Sequence, residues 1–78
     1  MEKVSGDHRY WTTPVENKED GCAGLLLHSE CRGTTTIKAQ VLYWDACGQF
    51  YFRTFDGDVP VEMAELLISE ARSHVNRA

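Results

Sequence analysis

The side chains able to do chemistry are three histidines (His8, His28, His74), three cysteines (Cys22, Cys31, Cys47) and a scatter of carboxylates. Metal binding by such groups needs close, convergent spacing, such as C-x-x-C or paired histidines on one helical face. His28-x-x-Cys31 is a single half-site with nothing to complete it. The sequence predicts no metal and no cofactor; a buried cysteine commonly packs as a small hydrophobe, and Cys47, in a loop, is the more exposed thiol. Nucleophilic catalysis finds little support. Cys31 follows His28 and Glu30 and precedes Arg32, a cation able to lower a thiol pKa. In an extended strand, however, His28 and Glu30 share a face while Cys31 points away. Cys47 sits near Asp45, whose charge opposes thiolate formation. An acid/base pair of His28 with Glu30 is geometrically allowed; the plainer reading makes both of them edge polar residues. Neither G-x-x-x-x-G-K nor G-x-G-x-x-G is present to cradle phosphate. No catalytic residue is assigned, and the balance leans away from an enzyme.

Size and charge narrow the remaining classes. A chain of 78 residues forms one domain, 1–78. A core this small supplies only about 3–5 kcal/mol, so such chains draw on a staple, a metal or a partner. Three cysteines do not complete a disulfide framework. Self-association is then the favoured source of extra stability. The net charge of −4 argues against nucleic acid, whose binders carry a basic stripe. The longest aliphatic run, Leu25 to Leu27, is too short for a membrane span. With no apolar leader near the N-terminus, the expectation is a cytoplasmic protein.

The elements that must position these residues follow from periodicity. Residues 1–7 are polar and read as a flexible arm. His8 to Val15 could be an edge strand; Pro14, which cannot donate to a ladder, places it at an edge or ends it there. Cys22 to Glu30 reads as an interior strand, with Leu25 and Leu27 on one face and Leu26 and His28 on the other; leucine is a weak strand former, so a short helix is the competing reading. Thr34 to Trp44, rich in β-branched residues, is the longest strand. Gln49 to Phe55 is its hairpin partner across the loop Asp45-Ala46-Cys47-Gly48. That loop sets Trp44 opposite Gln49, Tyr43 opposite Phe50 and Val41 opposite Phe52. One face then holds Ile37, Ala39, Val41, Tyr43, Phe50 and Phe52. After the break at 56–58, Pro60 suits the first turn of a helix, with Asp58 before it as a cap. Met63, Ala64, Leu67, Ile68, Ala71, His74 and Val75 share one side of that helix. The predicted fold is α+β: an antiparallel sheet of three to four strands with one C-terminal helix packed on one face.

One helix covers one face. The other face of the central hairpin carries Leu42, Trp44, Tyr51 and Phe55, interleaved with Lys38, Gln40 and Arg53. Large apolar side chains mixed with arginine are what protein interfaces are enriched in. Either the N-terminal segment, with Tyr10 and Trp11, folds over this face, or a partner does. The candidate interface or ligand-binding residues are Leu42, Trp44, Tyr51, Arg53 and Phe55, with Leu66 projecting from the outer side of the helix. The expected partner is a second copy, giving a homodimer or a higher homo-oligomer. The rival reading is an aromatic cleft of Trp44, Tyr51 and Phe55, oriented by Gln40 and Arg53, that takes a small aromatic or cationic ligand.

The stretch from Trp44 to Arg72, WDACGQFYFRTFDGDVPVEMAELLISEAR, resembles small proteins encoded by mobile gene cassettes of bacterial integrons. That resemblance implies an accessory protein, often an oligomer, and no transferable site. Strands followed by a helix are also similar to HicB-like antitoxins. That family's Pro-Asp-Leu-Pro-Gly-Cys turn is missing here, with Asp-Gly-Asp-Val-Pro in its region, so none of its residues is carried over.

Overall fold

A computed structural model describes residues 1–55 and 57–76. Asp56, Arg77, Ala78 and the side chains of Val75 and Asn76 lie outside the described set, and with them part of the expected 56–58 break and of the helix stripe. The elements are β1 (Glu2–Ser5), β2 (His8–Asn17), β3 (Cys22–Cys31), β4 (Thr34–Trp44), β5 (Gln49–Thr54) and α1 (Val61–Asn76). The strands form one antiparallel meander in the order β1-β2-β3-β4-β5. The α+β class with one C-terminal helix is as expected; the sheet has five strands rather than three or four. The additional strand is β1, formed by residues expected as an arm. Ser5 pairs with His8 across a two-residue turn, and Lys3 forms an ion pair with Glu62 of the helix. Further along, the Met1 amino group donates to Thr12 Oγ1 (3.1 Å) and Glu70 Oε1 (3.0 Å), and Thr12 Oγ1 donates to the same carboxylate oxygen (2.7 Å).

With β1 in place, β2 is not an edge strand along its first half. Thr12 N–H donates to the Met1 carbonyl; Pro14, two residues on, faces the same side beyond the end of β1. Its missing N–H therefore costs no ladder bond. The β4–β5 hairpin has the register the loop length implied, with Trp44 opposite Gln49 and Val41 opposite Phe52. Gly48 has φ 65° and its N–H closes the loop on the Trp44 carbonyl at 2.8 Å. The β3–β4 turn is Arg32-Gly33, both at positive φ (53° and 84°), the backbone of a type I′ turn.

The core lies between α1 and one sheet face. Leu25 and Leu27 of β3, Ala39 and Val41 of β4 and Tyr10 of β2 meet Met63, Leu67 and Ala71 of the helix. The helix residues recur every four positions and form one buried stripe. Fully burying a side chain such as Leu67 stabilises by about 1.5–3 kcal/mol. Three expectations need correction. Ile37 was assigned to the helix side, but the β3–β4 register shifts between Leu27 and His28. The extra β4 residue pairs Ile37 with His28 on the opposite face, where it is 43% exposed. Phe52 was expected under the helix, but α1 stands over β3 and β4 and leaves Phe52 43% exposed. Pro60 precedes the helix rather than opening it: its carbonyl accepts from Ala64 N–H, so it occupies the cap position.

Candidate interaction face

Directly opposed residues in an antiparallel ladder point to the same side, so the registers define the face that α1 does not cover. Three rows cross it: Trp11, His28 and Ile37; Thr13, Leu26, Gln40 and Arg53; Val15, Gly24, Leu42 and Tyr51. Cys22 and Trp44 complete its upper end, and Arg9 and Glu30 its lower end. Both tryptophans of the chain are therefore on this face. Trp11, Ile37, Leu26, Leu42 and Tyr51 give every row an apolar member beside Thr13, Gln40 and Arg53, and the lower rim carries charge, with Arg9 held to Glu2 at 2.5 Å. Aromatic and aliphatic side chains mixed with arginine are the composition in which protein interfaces are enriched.

Five of the six residues singled out in the sequence come together here. Leu42 and Trp44 are half-buried by their sheet neighbours. Tyr51 is 52% and Phe55 45% exposed. The Arg53 guanidinium lies 5.2 Å from the Phe55 ring centre, so these two residues already satisfy one another. Leu66 does not belong to the group. It sits on the helix side of the sheet, at a groove of about 720 Å³ shared with Glu16, Ser69 and His74.

The N-terminal residues do not fold over the face. Instead β2 lies beside β3 and divides its aromatics, with Tyr10 buried under the helix and Trp11 on the open side. Alternation within HRYWTTPV carries this split, which reading the segment as a possible cover had obscured. The Trp11 ring stacks on His28, 5.3 Å between centres and 9° from parallel. Arg9 lies 5.0 Å above Trp11. His28 Nε2 shares a hydrogen bond of 2.7 Å with Thr13 Oγ1. That bond, rather than one to Glu30, orients the imidazole. Cys31 falls on the helix side by alternation and does not converge with His28.

Trp44 and Tyr51, with Ala46 and Cys47, line a cleft of about 280 Å³. Phe55 is not part of it, so the three-aromatic cleft expected from the sequence reduces to two rings. Tyr51 OH is 3.7 Å from Cys47 Sγ. That hydrogen bond, reinforced by the charge a thiolate would bring and by slight desolvation, raises the Tyr51 pKa above its ordinary 10.0. Among the described residues, no group of three or more His, Cys, Asp or Glu side chains is placed to hold a metal ion.

No family resolves the matter. Comparison with protein-family models, curated proteins and solved structures finds no match, so no residue role is carried over from a relative. No helix among the described residues is long and apolar enough to cross a membrane.

Proposed function

We infer that the chain is a small interaction protein, of the accessory kind its resemblance to integron-cassette proteins implies, and that it self-associates as a homodimer through the open sheet face. The observation that carries this reading is a sheet with its helix on one side and an apolar, tryptophan-bearing surface on the other. β2, β3 and β4 are ten, ten and eleven residues long and β5 six; with strands about 4.8 Å apart and about 3.3 Å per residue they cover about 590 Å². Two such faces stacked together bury about 1,170 Å² in projection, above the roughly 1,000 Å² a specific interface needs. A second copy suits the face because stacking sets the tryptophans and leucines of one copy against those of the other and leaves the charged lower rim of each in water. The test is Trp44→Ala. It should lower the dimer fraction while the monomer keeps its far-ultraviolet circular dichroism; an unchanged dimer fraction removes the face from the interface.

The second reading is a binding module for a small flat or cationic ligand, favoured by the cleft between Trp44 and Tyr51. A thermal-shift screen separates the two. Stabilisation that grows with protein concentration supports the dimer, and stabilisation by added ligand at fixed protein concentration supports the cleft.

A further inference from the structure

β5 ends the sheet, and among the described residues no other element pairs with its outer edge. Which backbone groups face outward follows from the ladder. Phe55 N–H donates to the Lys38 carbonyl, so position 55 points toward β4. Alternate residues of an antiparallel strand point the same way, hence Tyr51 and Arg53 bond inward, while Phe50, Phe52 and Thr54 turn their N–H and C=O groups outward. Carried through the registers, the same alternation sends Thr12 N–H toward β1, where it is found on the Met1 carbonyl. The edge holds no proline, lysine or bulge and a single charge, Arg53, so it carries few of the usual devices against strand addition. Its side chains are bare on both sides of the sheet, Tyr51 on the open face and Phe52 on the helix face.

We propose that this edge binds the β5 strand of a second copy, antiparallel, on a two-fold axis through Phe52, to make a continuous ten-stranded sheet. In that register Phe52 pairs with its equivalent, Phe50 with Thr54 and Tyr51 with Arg53. Every outward N–H finds a carbonyl. Arg53, the one charged residue of β5, meets an aromatic ring rather than another arginine. The paired Phe52 rings fill the helix-side strip that α1, seated over β3 and β4, leaves uncovered. This contact goes beyond the stacked-face dimer and uses a different surface. Its axis is normal to the sheet, whereas that of stacked faces lies between the sheets. Where the two perpendicular axes intersect, they close at four chains.

Residue-resolved amide hydrogen exchange on the unaltered chain, under self-associating conditions, tests the pairing. Phe50, Phe52 and Thr54 should exchange at least about tenfold more slowly than an unstructured chain. Exchange of all three at the unstructured rate, with Tyr51 and Arg53 still protected, overturns the proposal. A dimeric mass with those three amides unprotected removes the edge pairing and leaves the stacked-face reading standing. Edge protection with dimer strength indifferent to Trp44→Ala does the reverse. Cross-linking gives a second readout. Phe52→Cys should oxidise to a self-linked dimer mapped to residue 52, because paired Cα atoms lie about 5.5 Å apart. Tyr51→Cys, offset from its equivalent by two residues, should not. Equal cross-linking of both overturns the register.

Discussion

At the scale of single residues, the tightest constraint is Gly24. A Cβ added there would run into the Val41 carbonyl, 2.8 Å from its carbon and 3.0 Å from Leu42 Cα. Both obstacles are backbone of the adjoining strand and cannot swing aside. Gly24→Ala should therefore destabilise by about 3 kcal/mol or more, read from the urea midpoint; a change below about 1 kcal/mol would mean that β3 and β4 separate there at little cost. Tyr51 offers a pH signature. Its phenol holds its proton more tightly than usual because of Cys47. A raised folded-state pKa contributes stability that is fully present below the ordinary value of 10.0 and fades as pH rises through the raised one. The tyrosinate absorbance of Tyr51 should appear at higher pH than that of a free tyrosine, and Cys47→Ala should bring it back. A Tyr51 titration indifferent to that substitution would rule out the contact. His28, the best candidate for chemistry by residue type, is held by Trp11 and Thr13. Its placement is that of a packed polar residue in an aromatic stack.

At the scale of elements, the helix and the β4–β5 hairpin were legible because each obeys one period. Met63, Leu67 and Ala71 repeat every four residues, and the loop from Asp45 to Gly48 leaves one register open. Consecutive leucines of the helix should then behave differently. Leu67→Ala empties a fully buried site and should cost about 2–5 kcal/mol. Leu66→Ala, at 36% exposure beside the helix-side groove, should stay within about 0.5 kcal/mol. Equal losses would place the helix in the wrong rotation. What was not legible had physical reasons. The bulge opposite His28 inserts one residue into β4 and breaks the alternation that had put Ile37 under the helix. No local signal in TTTIKAQ announces it. β1 is a four-residue polar strand, indistinguishable by composition from an arm, and its place depends on the β2 ladder and on Lys3 reaching Glu62. Five residues of the candidate face were foreseen because strands alternate. Trp11, Thr13 and Val15 were not assigned to it, because which strand lies beside β3 is a long-range fact.

At the scale of the whole molecule, the described residues fold as one helix and one sheet, and so one core. Eight buried hydrophobic residues among those described form it, all on the helix side. A five-stranded sheet has a second face, and here that face carries Trp11, Leu26, Leu42 and Trp44 from its lower rows to its upper end, among a few polar and charged residues such as Gln40 and Arg53. This imbalance is the reason for placing a second copy there, and it sets the decisive measurement. Sedimentation equilibrium from micromolar to millimolar protein should give a mass of 17.8 kDa, twice the chain's 8.9 kDa, or a higher even multiple. A mass of 8.9 kDa throughout that range would contradict the account.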